Sequence, residues 1–348
     1  MADHSIEVKG LYKIFGPHGD RYIEAVQNGM SKEELNAKHG HVLGLKDINI
    51  HMPSAKIQVI MGLSGSGKST MIRHINRLIE PTVGEVIFQG QDVCKMSEAE
   101  LQEFRRHKTA MVFQKFALLP HRTVLDNTLF GIELQGVPRG ECEERAKHWL
   151  KRVGLDGFED NYPNQLSGGM QQRVGLARAL TNDADILLMD EAFSALDPLI
   201  RMDMQSILLE LQEELHKTIV FITHDLDEAL RLGDRIAILR DGIMVQQDEP
   251  QQILLNPADD YVTDFIKDIN RVRVLEVGSI MSKKKAAKGP KIERTVVIED
   301  ALQILSKASV PEAAVTDNGK TIGSITIDAM IASIARSKST KKDGVNYK

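Results

Sequence analysis

KIQVIMGLSGSGKST, residues 56–70, decides the fold. It opens as a short run rich in β-branched residues, turns on glycine, and continues as MIRHINRLIE, where Met71, Ile75 and Leu78 recur at helical spacing. The expected order is strand, glycine loop, helix. Gly62-Leu63-Ser64-Gly65-Ser66-Gly67-Lys68-Ser69 fits the phosphate loop GxxxxGK[ST], in the strand-to-helix setting the motif requires. Its glycines let successive backbone N–H groups turn inward onto a β-phosphate, and the helix that follows offers its positive end. Lys68 is expected to reach the β- and γ-phosphates of ATP, and Ser69 to ligate Mg²⁺ through its hydroxyl. A purely structural glycine turn is the competing reading, and motif and context together disfavour it.

Two more runs extend the pattern. DILLMDE (185–191) is an apolar strand ending in two acids, and TIVFITHD (218–225) is another ending in His-Asp. Uninterrupted apolar strands alternating with helices imply a parallel sheet covered on both faces, with ligands at the C-terminal strand ends. Asp190 is then suited to hold Mg²⁺ directly or through water, and Glu191 to polarise the water that attacks the γ-phosphate. Two acids after a strand also occur as a plain exposed strand end; the pair gains weight beside a phosphate loop.

Between Gln114 and Ser167 the chain reads as helix after helix, in VLDNTLFGIELQG and RGECEERAKHWLKRVGL, an expected helical subdomain at about 115–170. Two stretches are additions to that plan. Residues 17–44 contain Ser31 and Glu34 at capping-box spacing. After about residue 271 a charged linker precedes a new α/β pattern, so the expected domains are 1–270 and 271–348.

Composition sets the outer bounds. The chain has 348 residues, 42% apolar and 27% charged, enough for one large domain and a small one. No run reaches the roughly 18–20 apolar residues of a membrane span, and MADHSIEVKG lacks the order of a signal peptide, so a cytosolic chain is expected. Cys94 and Cys142 lie apart without CxxC or His-rich partners, indicating neither a disulfide framework nor a zinc site. A net charge of -5 provides no basic field for nucleic acid. Positive charge gathers only late, in SKKKAAKGPK (282–291) and in a KSTKK tail.

LSGGMQQR (166–173) poses a question, because it is a second glycine turn running into a helix-forming stretch when one nucleotide needs one cradle. Gln114 in MVFQKF, this stretch, SALD (194–197) and His224 in ITHD follow the phosphate loop in the order seen in ATP-binding cassette (ABC) ATPases, which residues 1 to about 265 resemble throughout. The resemblance implies an α/β ABC-type ATPase core with an inserted helical subdomain. It implies ATP contacts from Phe15, from Gly62, Leu63, Ser64, Gly65, Ser66, Gly67, Lys68, Ser69 and Thr70, and from Gln114. It makes Lys68, Glu191 and His224 catalytic, and Ser69, Gln114 and Asp190 the Mg²⁺ set. Ser167, Gly168, Gly169, Met170 and Gln171 then form a signature that closes on the nucleotide of a partner in a homodimer, with Asp197 as a dimer-bridging acid. Phe15 is expected to stack on adenine or to be an ordinary core residue. His224 alone reads as a buried, satisfied histidine; after the two acids, it reads as a γ-phosphate contact. Met170 departs from the usual Gln of the signature, and Ala55-Lys56 from a usual Gly-Glu turn.

No long heptad coiled coil and no second cassette point to DNA repair or translation. FQKFALLPHRTVLDNTLFGIEL resembles the face on which importer ATPases receive their membrane subunits; Phe116, Ala117, Leu118 and Leu119 read there either as docking surface or as subdomain core. LYKIFG, the 17–44 insertion, VIMGLSGSGKSTMIRHINRLIEPT and LLMDEAFSALDPLIR resemble the glycine betaine/proline-type quaternary amine importer ATPases. TVVIEDALQILSKASVPEAAVTDNGKTIGSI resembles one cystathionine-β-synthase-type (CBS) module, with an Asn-Gly hairpin turn. That subfamily often carries two, so a regulatory role and a degenerate module both stand open. A lone module is expected to pair across the dimer, with Lys283 to Lys285 answering ionic strength or anionic lipid. The implied protein is a peripheral ATPase on the cytoplasmic face of the inner membrane, bound to integral permease subunits and served indirectly by an extracytoplasmic binding protein. A soluble ABC ATPase that remodels a macromolecule is the rival, and a nucleotide-sensing regulator a third reading. Glycine betaine, proline betaine, choline, carnitine and trimethylamine N-oxide all remain as solutes.

Overall fold

The computed structural model describes residues 3–284 and 289–334; Lys285 and the KSTKK tail lie outside these ranges. The chain forms two compact units, Met1–Gln247 and Asp248–Lys348, dividing ahead of the boundary expected at 270. Among the described residues no helix is long and apolar enough to cross a membrane.

The first unit contains strands β1 (Ile6–Phe15), β2 (Val42–Met52), β3 (Ile57–Met61), β4 (Val83–Phe88), β5 (Gln91–Asp92), β6 (Thr109–Phe113), β7 (Ile186–Asp190), β8 (Thr218–Thr223), β9 (Arg235–Arg240) and β10 (Ile243–Asp248). They form a four-stranded sheet in the order β2-β1-β4-β5, antiparallel throughout, and a six-stranded sheet in the order β10-β9-β3-β8-β7-β6. Strands β9, β3, β8, β7 and β6 pair in parallel. Every residue of β3, β7 and β8 is buried, which is why these strands read as unbroken apolar runs.

Register aligns their ends. Met61 pairs with Thr223, and Asp190 pairs with both Ile222 and Phe113. The residues that follow, Gly62, Gln114, Glu191 and His224, therefore leave one edge of the sheet within a residue of the same level.

The helix Lys68–Ile75 belongs to the core between the two sheets: Met71, Ile72 and Ile75 join one buried cluster with Ile6 and Leu45 of the antiparallel sheet and Ile60, Leu188 and Ile222 of the parallel one. It stops before Leu78, which is 51% exposed, because Arg77 turns to φ 52° and its guanidinium donates to Met96 O at 2.6 Å. Helices Val124–Glu133 and Arg139–Arg152 fall within the stretch expected to be helical, with Leu129, Ile132, Cys142 and Ala146 between them, and the helix Gly168–Thr181 runs past its expected end near 170.

In the insertion, the Ser31 hydroxyl accepts from Glu34 N at 3.1 Å and the Glu34 carboxylate from Ser31 N at 3.2 Å. This capping box starts the helix Lys32–His39, whose Leu35 packs with Ile14 and Leu43 of the antiparallel sheet. At the departure noted above, Ala55 takes φ 56°, the left-handed region that a glycine enters without cost.

In the second unit β11 (Lys291–Glu293) pairs in parallel with β12 (Glu312–Asp317), which pairs antiparallel with β13 (Lys320–Thr326). Asn318 and Gly319 turn the hairpin at φ 50° and 78°, the double left-handed geometry that an Asn-Gly pair favours. Helices Ile298–Ala308 and Ile327–Ile334 contribute Ala301, Leu305 and Met330 to its core.

His74, on the helix between the sheets, is fully buried; its Nδ1–H donates to Thr70 O at 2.6 Å, and its Nε2 has no partner. Burial lowers its pKa to about 4, so the ring stays neutral. An unfolded histidine protonates near pH 6.5, so this contribution is present above that pH and is lost as pH falls towards 4. Between pH 7 and pH 5, denaturant unfolding of His74→Met should lose ~2 kcal/mol less than the parent, and equal losses would contradict the assignment.

Candidate functional site

The sheet edge where the four strand ends meet opens into a cavity of about 510 Å³. It is lined by Phe15, Lys32, Val42, Leu43 and Gly44, by residues of the loop from Ser64 to Thr70, and by Gln114 and Glu191. The loop is clamped from below, since Gly242 N donates to Ser66 O at 3.0 Å and Gly242 O accepts from Lys46 N at 2.8 Å. Three backbones pack together here: a side chain on Gly67 (φ 101°) would come within 2.9 Å of Gly44 O, and one on Gly242 within 2.5 Å. Gly62 (φ 152°) lies against the Leu239 carbonyl, so it too admits no side chain. Leu63 is 58% exposed at the loop's outer bend, and the Ser66 hydroxyl is buried without a partner.

Lys68 is the buried charge of the site. Its ammonium donates to Gly62 O at 2.9 Å and Leu63 O at 3.1 Å, and lies 3.7 Å from Glu191 Oε1. Burial lowers its pKa and the Glu191 carboxylate opposes that shift. Ser69 Oγ donates to Asp190 Oδ1 at 2.8 Å, while Arg73 holds Asp190 Oδ2 at 3.1 Å. Gln114 Nε2 donates to Glu191 Oε2 at 3.2 Å and to Ser194 Oγ at 3.2 Å, and His224 Nδ1 is 3.7 Å from the same Glu191 oxygen. Glu191 takes φ 48°, and its N–H donates to Ile222 O at 3.2 Å. A non-glycine residue held left-handed at the end of a core strand is local strain on the residue that meets all three partners.

Phe15 is 39% exposed and pairs with Val42 in the sheet; its ring lies over Gly44, where an added Cβ would approach Cε2 to 2.6 Å. It is a cavity wall and not a core residue. His224 is likewise exposed, with a side chain 58% accessible.

The signature residues do not line this cavity. Ser167 and Gly168 are exposed at the start of the helix Gly168–Thr181, where Ser167 Oγ accepts from Met170 N at 3.3 Å. Gln171 donates from its amide to Pro163 O and Leu166 O, and Gly169 sits under Ile200. Asp197 caps the helix Pro198–Leu215 through Ile200 N at 3.1 Å, beside Leu199, which is 79% exposed. The signature residues thus lie outside the cavity that the phosphate loop lines.

Phe116 and Ala117, at φ 56° and 50°, form an unusual pair of left-handed residues after Gln114. Arg178, from the signature helix, donates to both of their carbonyls, at 3.1 and 2.8 Å. Beside them Ala117, Leu78, Phe130, Leu134 and Arg178 line a groove of about 330 Å³.

The family model described as "ABC transporter" matches residues 45–194. The chain is 53% identical over 295 residues to the glycine betaine transport ATP-binding protein OpuAA of Bacillus subtilis, covering 84% of this chain and 71% of that one. It is 49% identical over 341 residues to the glycine betaine/proline betaine transport system ATP-binding protein ProV of Salmonella typhimurium, covering 96% and 83%. The solved dimeric structure of MJ0796, a bacterial ABC transporter cassette, matches with a TM-score of 0.61 at 34% identity, over 70% of this chain and 98% of that one. With the phosphate loop, the paired acids and the signature each on its own element of this fold, the chain belongs to the ABC transporter ATP-binding subunits of the quaternary amine importer family.

Proposed function

We propose that the protein hydrolyses ATP as a homodimer to drive import of a quaternary amine or related compatible solute, attached to integral permease subunits on the cytoplasmic face of the membrane. The observation that carries this reading is the separation of the phosphate loop from the signature within one chain, since a site so divided is completed by a second copy. The exposed Leu199 and Met202 next to the signature face supply apolar area for that copy to cover.

In each site the loop N–H groups and Lys68 hold the phosphates, and Phe15 receives the adenine on the flat surface over Gly44. The donors fit Mg²⁺, because the Ser69 hydroxyl and the Asp190 carboxylate already lie 2.8 Å apart and Gln114 reaches the same edge; the cation would neutralise phosphate charge there. Glu191 accepts a hydrogen bond from the attacking water, whose oxygen joins the γ-phosphorus as the bond to the ADP oxygen breaks. His224, beside Glu191, donates to the γ-phosphate, and the partner's signature serine and glycine N–H groups counter the developing charge.

The groove beside Phe116 and Ala117 is the surface proposed for the permease subunits. Arg178 ties it to the signature helix, which supports coupling between nucleotide state and membrane subunits. The second unit is proposed as a single CBS-like regulatory module. Solute choice lies with the permease and binding protein, so glycine betaine, proline betaine, choline, carnitine and trimethylamine N-oxide are the candidates.

Uptake in cells supplied with each of these amines should depend on this chain and its permease for at least one. Absence of transport, and of any co-purifying membrane protein, would favour a soluble remodelling ATPase. Glu191→Gln should keep ATP binding, lower turnover by at least 100-fold and trap a closed dimer, whereas Lys68→Ala should raise the nucleotide dissociation constant by at least 10-fold. Turnover by Glu191→Gln near the parent rate would remove it from this role. Mixed Ser167→Arg and Lys68→Ala subunits should yield one working site per heterodimer, and no working site would refute the shared arrangement.

A further inference from the structure

The insertion at 17–44 reaches the nucleotide cavity. Lys32 stands in the cavity wall beside Phe15, Val42, Leu43 and Gly44. Its position is fixed from two sides: the Ser31–Glu34 capping box starts the helix at Lys32, and Leu35, one turn on, is buried against Ile14 and Leu43. Residues three apart share a helix face, so Lys32 is carried on the face that packs towards the strands bearing Phe15 and Leu43.

Lys32 carries its charge at the start of a helix. It occupies the first helical position, where the positive end of the helix disfavours a cation. Among the described residues its ammonium has no ion pair and no hydrogen bond, whereas Lys38 of the same helix bonds Glu34. The residue is half-buried in the lining of a cavity that the phosphate loop also lines. A polyanion in that cavity would answer the charge left over at the helix start.

We infer that Lys32 is a nucleotide-binding residue contributed by the insertion, a second cation in the lining of the cavity that attracts the phosphate chain of ATP. This rests on the reading of the cavity as the ATP site. The insertion then does more than pack on the antiparallel sheet, because it adds a positive charge to the lining of the nucleotide cavity. The contribution is to affinity, since Lys32 is not among the contacts of Glu191, Asp190 or Lys68.

The test is a charge series at Lys32 in the full-length chain, measuring the ATP dissociation constant and the steady-state constants at low and high salt. Lys32→Arg should bind within about 2-fold of the parent, Lys32→Gln about 5-fold weaker and Lys32→Glu at least 20-fold weaker, with kcat unchanged throughout. High salt should compress the series, because the effect is Coulombic. A role limited to starting the helix would give no ordering by charge; equal dissociation constants across the series would overturn the inference. Lys68→Ala in the same assay separates the two claims. If Lys68→Ala weakens binding and the Lys32 series does not, only the role of Lys32 fails; if neither does, the site itself is misassigned.

Discussion

A buried ammonium governs this structure. Lys68 is almost inaccessible, and its charge is met by two loop carbonyls and, at 3.7 Å, by one carboxylate. Taking a cation out of water costs several kcal/mol unless its surroundings compensate, and here the compensation comes from groups that the fold must bring from far apart in sequence. The register of the parallel sheet puts Glu191 within reach, the strained backbone of Glu191 aims it, and the clamp of Gly242 on Ser66 keeps the carbonyls turned inward. Each of these constraints exists before nucleotide arrives. A phosphate chain entering the cavity meets a cation that is already desolvated and in position, so less reorganisation accompanies binding.

The sequence made the strands around the site legible because they are covered on both faces. Continuous apolar runs ending in a polar pair, as in DILLMDE and TIVFITHD, can hardly be anything else once a phosphate loop stands beside them. The capping box and the Asn-Gly hairpin were equally readable, since each is a local interaction within a few residues. The end of the phosphate-loop helix was not: Leu78 keeps the period, but a long-range bond from Arg77 to Met96 stops the helix first. The contribution of Lys32 to the cavity was hidden for the same reason. Its role depends on how a helix in the insertion packs on strands that precede and follow it, which no spacing within the insertion records. Gly44 and Gly242 belong with these, because the close approach of three backbones is visible only when all three are folded together.

The signature helix does two jobs at once. Its first residues are exposed, and further along it Arg178 holds the paired left-handed residues Phe116 and Ala117. Consecutive non-glycine residues in that conformation store strain, and the guanidinium that restrains them comes from the element expected to move when a partner closes. A shift of this helix therefore changes the lining of the adjoining groove directly, without a long relay through the core.

In the proposed arrangement, an active site shared between two copies also sets how the activity depends on amount. Hydrolysis that needs two copies rises with the square of subunit concentration while the copies are free. Tethering a pair to one membrane assembly replaces that dependence with an effective concentration in the millimolar range for short connections. In the proposed arrangement, subunits synthesised in excess of their membrane partners remain idle, and ATP is consumed chiefly where there is a path for solute to cross.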